Sequence, residues 1–386
     1  MRTFLINGEV FWQGRLQKLE VVLEDGKIRA LETPGTAKAA GVPEEEVYDA
    51  AGLRVVPGFI DLHTHGGAGV DVNAADEAGF AKISHFFATR GVTSWQCSIL
   101  TDTVETTERE IAAAVAHAKN GKNGAHLMGI HLEGPFLAKD YKGAMPEYLL
   151  RTADVDLLRH YQELAGGYIH YLTVSPEVEG VLEAIPAMCG LGMTVAMGHS
   201  GADYDTAWEA IRRGVRAATH TFNAMKLLHQ HFPAIMGAAL ESDIFCEAIC
   251  DGRHLHPGTV RFLLKCKGLD RVVAITDSIM AAGLPDGDYK LGVNDVVVED
   301  GDAKLKSDHS RAGSTLTLDL ALRNLMAFAG LSLPQVLPLL TENPAKLVHA
   351  DAHVGTFDPG KDADVVLLDE NQFVVDTFVK GEKIVR

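Results

Sequence analysis

The sequence predicts an α/β fold. A closed (β/α)8 TIM barrel covers residues 55–352, and a small β-sandwich domain is assembled from residues 1–54 together with 353–386. Three observations predict it. Eight short apolar runs in the middle of the chain alternate with stretches of helical periodicity, the pattern of a parallel sheet whose crossovers are helices. Both ends are β-rich and free of such helical stretches. Five of the eight runs finish in a histidine or an acid, at the edge where barrels of this kind gather their chemistry.

Taken in order, residues 1–53 read as short strands with turns at Asn7-Gly8 and Asp25-Gly26. The alternation in LEVVLEDGKIRALE suits a hairpin. The barrel strands are expected in VVPGFIDLH, GVTSWQCSI, HLMGIHLEG, YIHYLTVSP, MTVAMGHS, AATHTF, FCEAICDG and RVVAITDS. Between them, DTVETTEREIAAAVAHAKN and ADYDTAWEAIRRG carry the 3.6-residue period of amphipathic helices. The last stretch, DADVVLLDENQFVVDTFVKGEKIV, reads as strand, turn, strand, turn, strand.

Composition bounds the function. Of 386 residues, 47% are hydrophobic and 23% charged, a balance that can build a sizeable core. The net charge of −17 repels nucleic acid and anionic membranes, and it obliges any anionic substrate to find a local cationic pocket. The N-terminus has no basic-then-apolar leader pattern, and no apolar run approaches the ~20 residues of a membrane span. A cytoplasmic protein is therefore expected. The five cysteines are odd in number and irregularly spaced, without a CxxC pair, so they read as reduced thiols and not as a metal site.

The chemistry is expected at the strand ends. His63 and His65 stand two apart, so in extended backbone both side chains face one centre. His131 and Glu133 end the third run, His199 the fifth, His220 the sixth and Asp277 the eighth. Imidazole suits Zn, Fe, Ni or Co, and a carboxylate can bridge two ions. His131 shares the parity of Glu133 and offers two readings, a metal ligand or a partner that holds that carboxylate in place, of which the second is preferred. Of the 17 histidines, His85, His117, His126, His160, His170, His349 and His353 lack the strand-end context and read as structural or surface residues.

The motifs FIDLHTHGGAGVDV, HLEGPF, MGHS, THTFNAM, DGRH, ITDS and the AGST at 312–315, in this order, resemble the N-acetylglucosamine-6-phosphate deacetylase family of the amidohydrolase superfamily from about residue 50 to the end. The resemblance implies a TIM barrel of the amidohydrolase type. It implies a divalent metal, zinc foremost with Fe, Ni, Co or Mn as alternatives, at one or two ions per chain. The implied ligands are His63, His65, Glu133, His199, His220 and Asp277, with Asp277 as catalytic acid and base. It further implies substrate contacts at Ala144, Asn223, Ala224, His254, Ala312 and Gly313, an amino-sugar phosphate as the small-molecule partner, and a homodimer.

Two departures bear on specificity. Where the family carries an Arg that meets the substrate phosphate, often across the dimer interface, LHQHFPAIMG places His231, which lacks the guanidinium fork. Where the family has a His, YKGAM ends in Met145, which donates no strong hydrogen bond. Lys142, Lys226, His229 and Arg253 are the other candidate cations. The galactosamine isomer and an unphosphorylated amino sugar remain open as substrates. HLEGPF and FNAM speak against a cyclic amidase or dipeptidase, and the intact ligand set speaks against an inactive scaffold.

Overall fold

A computed structural model describes residues 2–385. Its centre is an eight-stranded sheet in which every neighbouring pair is parallel. In chain order the strands are β1 (Phe59–Asp61), β2 (Val92–Leu100), β3 (His126–Glu133), β4 (Ile169–Val174), β5 (Thr194–Met197), β6 (Ala217–Ala218), β7 (Phe245–Ile249) and β8 (Val272–Ile275). Helices follow the strands and form the outer layer. Those at Glu77–Thr89, Val104–Asn120, Val155–Leu164 and Tyr204–Arg213 each begin behind an Asp or Thr whose side chain accepts a hydrogen bond from the backbone N–H three residues on. Such caps satisfy one of the free N–H groups of the first turn and fix where the loop stops and the helix starts.

Side-chain alternation along β2 divides the two layers. Trp95, Cys97 and Ile99 are buried in the apolar shell, where Trp95 packs edge-on against Phe87 of the Glu77–Thr89 helix. Ser98 turns the other way, and its hydroxyl lies 2.8 Å from His131 Nδ1 of β3. The interior near the strand ends is thus polar, while burial against the helices supplies the apolar contacts.

Only the carboxyl ends of β1 and β8 meet to close the ring. Asp277 N donates to His63 O (2.8 Å), His65 N donates to Ser278 O (2.7 Å), and Thr64 and Ser278 form a parallel bridge. Below them, Thr276 Oγ1 donates to Asp61 Oδ2 (2.6 Å).

The first predicted run, 55–63, divides in two. Arg54–Pro57 pairs parallel to Glu9–Trp12 and antiparallel to Val365–Leu368, outside the barrel, and Phe59–Asp61 alone joins it. Gly58 makes the break: a Cβ there would stand 2.0 Å from Thr93 Oγ1, so only glycine lets the backbone pass. Two sheets built from both chain ends face each other. One has four strands from residues 2–49; the other has six, drawn from residues 9–57 and 365–383. Leu5, Val10, Val21, Ile28, Val55, Val365 and Phe378 fill the space between them. The Lys27–Glu32 hairpin turns at Asp25-Gly26, both at positive φ.

One element was not predicted. A three-stranded antiparallel sheet (Gly287–Leu291, Asn294–Glu299, Asp302–Leu305) interrupts the connection from β8 to the next helix, Leu318–Ala329. Its inner face packs on Met145, Leu137 and Ala312.

Asp364 lies beneath the barrel at the junction with the terminal sheets. It accepts from Lys380 N (2.8 Å), and its own carbonyl accepts from Gly58 N (3.0 Å). Burial lifts its carboxyl from 3.8 to about 6, against the opposing pull of the Lys380 N–H. The folded form therefore holds this proton more tightly than the unfolded form. The associated stabilisation is complete below about pH 4 and is lost as pH rises through about 6. We expect Asp364→Asn to remove this dependence, so that urea unfolding shows the variant gaining stability relative to the parent between pH 4 and 6.5. A difference that does not vary with pH would refute the assignment.

Candidate metal centre and its cavity

Five strand ends meet at one mouth of the barrel. His63 and His65 follow β1, Glu133 ends β3, His199 and His220 stand two residues beyond β5 and β6, and Asp277 stands two beyond β8. All six side chains are buried. Glu133 is their common centre. Its Oε1 lies 3.1 Å from His199 Nε2, 3.2 Å from His220 Nε2 and 3.4 Å from His63 Nε2. Its Oε2 lies 3.2 Å from His65 Nε2. Asp277 Oδ1 completes the cluster at 3.2 Å from His65 Nε2 and 3.6 Å from His63 Nε2.

These atoms form two sets able to hold a cation, His63–His65–Glu133 and Glu133–His199–His220, with Glu133 in both. The ring geometry fits that use. His63 and His65 point their Nε2 atoms at each other across 3.3 Å, and His199 and His220 do so across 3.0 Å. Neutral imidazoles tethered by Nδ1–H present lone pairs at Nε2, and a cation shared between facing lone pairs turns mutual repulsion into ligation. Three of the rings have that tether. His63 Nδ1 meets Glu247 Oε2 (3.0 Å), His65 Nδ1 meets Ser98 O (3.0 Å) and His199 Nδ1 meets Tyr141 O (2.8 Å). His220 Nδ1 is buried without a partner; its backbone N–H instead donates to Glu247 Oε2 (2.9 Å).

The local field favours positive charge. Burial opposes protonation of His63 and His65. Glu133 and Glu247 nevertheless hold His63 well above its ordinary value, and hydrogen bonds to Asp277 and Glu133 take His65 to about 9. Conversely, burial would raise Glu133 and Asp277, but the surrounding imidazoles hold Glu133 well below the usual carboxylate range and Asp277 below its own. A divalent cation feels the same attraction, so metal and protons compete for these rings.

His199, His220 and Asp277 share a backbone peculiarity, with φ of 49°, 28° and 49°. Left-handed backbone costs a non-glycine residue of order 1–3 kcal/mol and persists where surrounding structure enforces it, commonly at functional sites.

The structure corrects the expectation for His131. Its Nδ1 meets Ser98 Oγ (2.8 Å) and its Nε2 meets Thr173 Oγ1 (2.8 Å), so neither nitrogen holds Glu133. It packs edge-on against the His63 ring and buttresses that side chain. Glu247 on β7 was missed. It is fully buried, accepts from Tyr171 OH (2.6 Å), and joins His63 to the backbone of His220. The available signal was an acid inside the otherwise apolar run FCEAICDG, where an unpaired charge could not be buried.

A cavity of about 290 Å3 opens above the cluster. Ala144, Asn223, Ala224, His254, Ala312 and Gly313 line it, together with Met145 and the unforeseen Tyr141, Ser310 and Arg311. Asn223 donates through Nδ2 to His220 O (3.1 Å), and His254 Nδ1 meets Asp251 Oδ2 (2.6 Å). His231 is not in this lining: it lies on the exposed loop 226–232, next to His229. Lys142, Lys226, His229 and Arg253 are outside the lining as well. The five cysteines are free, and none belongs to a cluster able to hold a metal among the described residues.

The profile of the Amidohydrolase family matches residues 54–385. The chain belongs to the amidohydrolase family. This amidohydrolase is 34% identical over 354 residues to the N-acetylglucosamine-6-phosphate deacetylase of Bos taurus, covering 88% of this chain and 85% of that one. It is 32% identical over 371 residues to the N-acetylgalactosamine-6-phosphate deacetylase of Escherichia coli O157:H7, covering 96% of each. Among solved structures it superposes, with a TM-score of 0.91, 29% identity and full coverage of both chains, on a Mycobacterium smegmatis N-acetyl-D-glucosamine-6-phosphate deacetylase. That protein is an aspartate-to-alanine mutant in complex with N-acetyl-D-glucosamine-6-phosphate. Family membership and the His/Glu cluster together indicate a divalent metal site.

The Glu247 contacts predict a measurable effect on that site. Glu247→Gln keeps the size of the side chain but removes the charge behind His63. Competition with a chromophoric chelator should show metal affinity reduced by about 10- to 100-fold, with the circular dichroism spectrum unchanged. Equal affinities would remove Glu247 from the metal centre.

Proposed function

We propose that this amidohydrolase cleaves the N-acetyl amide of an amino-sugar 6-phosphate, turning N-acetylglucosamine 6-phosphate into glucosamine 6-phosphate and acetate. The observation that carries the reading is the Glu133-centred pair of ligand sets with Asp277 beside it, at the floor of a small cavity. Zinc is the first choice of metal, since imidazole and carboxylate suit it, with Fe, Ni, Co or Mn as alternatives. The two sets sharing Glu133 favour two ions over one. A divalent ion held there supplies Lewis acidity, lowering the pKa of water towards ~7 and polarising the acetamide carbonyl.

The protein's own groups do the rest. Asp277 Oδ1 faces the cluster from the cavity wall, and its carboxyl is held ionised by the imidazoles around it. It takes the proton released when water attacks the amide carbon, and returns it to the nitrogen as the C–N bond breaks. Imidazoles anchored through Nδ1 stay oriented while charge redistributes. Asn223, Ala224, His254, Ala312, Gly313 and Ala144 form the walls that position the sugar.

The galactosamine isomer is a second reading, favoured by the similarity to the Escherichia coli O157:H7 relative over 96% of both chains. A homodimer is supported by exposed apolar side chains: Leu227, Leu228 and Phe262 line a groove, and Phe232 stands exposed on the same loop as Leu227, Leu228 and His231. In such a dimer His231 could reach the partner's cavity. Five free thiols fit a reducing cytoplasm, and no helix among the described residues is long and apolar enough to cross a membrane.

Acetate release from both phosphorylated N-acetylhexosamines tests the reading. We expect activity to vanish on chelation and return with added divalent metal. Asp277→Asn should lower kcat by about 10²- to 10⁴-fold with KM changed little. Fully metallated protein that leaves both acetamides intact would end the proposal. For the dimer, Leu227→Asp combined with Phe232→Asp should halve the mass measured by light scattering; an unchanged mass would exclude this patch as the interface.

A further inference from the structure

An anionic ligand approaches a chain of net charge −17 against the average field, and the floor of the cavity holds two carboxylates of its own. Recognition of a phosphate therefore requires a cation on the wall. Among the described residues that line the cavity, Arg311 is the one lysine or arginine. We propose that Arg311 recognises the phosphate of the substrate and sets the preference for phosphorylated over free amino sugar. The inference rests on the deacetylase reading and gives it a specificity-determining residue.

The position is a built one. Arg311 lies two residues before Gly313, whose backbone is pressed against the main chain of Asp277: a Cβ on Gly313 would stand 2.4 Å from Ile279 Cγ2 and 2.9 Å from the Asp277 carbonyl oxygen, which also accepts from Ser314 N (2.7 Å). The wall carrying Arg311 is thus anchored at the reacting end of the cavity and runs outward from it. Asp302, on the last strand of the three-stranded insertion, fixes the guanidinium from behind. Nε donates to Oδ1 (2.9 Å) and Nη2 to Oδ2 (3.2 Å). That grip uses two of the five N–H groups, leaving both on Nη1 and one on Nη2 for a ligand. Asp302 is sheltered, with 14% of its side chain exposed, whereas 45% of Arg311 is exposed.

Asp302 does not cancel the charge. Lys304 Nζ lies 3.5 Å from Asp302 Oδ2, so this carboxylate is shared between two cations and is not spent on Arg311 alone. Next to it, Asp251 binds Nδ1 of the cavity residue His254 (2.6 Å), leaving Nε2 as the remaining polar atom of that ring. A cavity-lining guanidinium held in place by Asp302, with three N–H groups left over, can match the oxygen geometry of a phosphate in a way a lysine cannot.

The test has two arms on metal-loaded protein. In the first, acetate release is followed from N-acetylglucosamine 6-phosphate and from N-acetylglucosamine. Arg311→Leu should raise KM for the phosphorylated sugar by about 10- to 100-fold, with kcat within about threefold, and leave the free sugar unaffected. Arg311→Lys should recover part of the loss. In the second arm, calorimetry with glucosamine 6-phosphate and glucosamine reports the same preference without turnover. A variant matching the parent in both arms, or one that weakens both sugars equally, overturns the assignment while leaving the deacetylase reading intact. Phosphate-dependent binding that Arg311→Leu abolishes, in a parent that releases no acetate, upholds Arg311 and overturns the deacetylase reading. A parent with neither turnover nor a preference for the phosphorylated ligand overturns both.

Discussion

The backbone hydrogen bond from Asp277 to His63 sits at the seam where the first and last barrel strands meet, and much of the molecule depends on it. It closes the ring and at the same time sets the Asp277 carboxylate beside the His63 imidazole. Without closure, β1 would bring its histidines to an open edge and Glu133 would face only some of its partners. The cluster therefore cannot be separated from the architecture: the ends of β1, β5 and β6 bring their imidazoles to Glu133 at the end of β3, and Asp277 beyond β8 joins through His63 and His65, because a cylinder of parallel strands gathers their carboxyl ends at one rim.

Keeping so many ionisable groups out of water is expensive, and the surroundings offset the expense locally. Glu247 and Tyr171 sit behind His63, main-chain oxygens stand behind His65 and His199, and Asp61 ties β1 to Thr276 across the seam. Strained backbone at His199, His220 and Asp277 adds to the expense. The apolar shell outside the strands provides the compensating stability, a division of labour visible along β2, where alternate residues serve the packing and the site.

Much of this was legible in the sequence. The eight runs appeared in chain order as eight parallel strands because buried strands are short, apolar and β-branched, and the residues closing them stood out as polar. The spacing of His63 and His65 was informative because extended backbone repeats every two residues. What escaped notice depends on distance in space. His131 shares parity with Glu133, but its hydrogen-bonding partners, Ser98 and Thr173, lie on neighbouring strands, and strand pairing decides which polar atoms meet. Glu247 looked like one more residue in an apolar run. The division of 55–63 at Gly58 follows from the closeness of Thr93, which no local pattern encodes. The three-stranded insertion, and Arg311 with it, belong to a long connection whose residues gain meaning only once it folds back over the rim.

The pairing of Val365–Leu368 with Arg54–Pro57 joins segments some 310 positions apart, and it has a consequence for biosynthesis. A ribosome delivers the β1 neighbourhood early and its sheet partner only near the end of translation. Until then the strand at 54–57 has one flank unpaired, and long-range pairing of this kind is slow because loop closure precedes any reward. The growing polypeptide must therefore carry a sticky, half-built platform beneath a nearly finished cylinder.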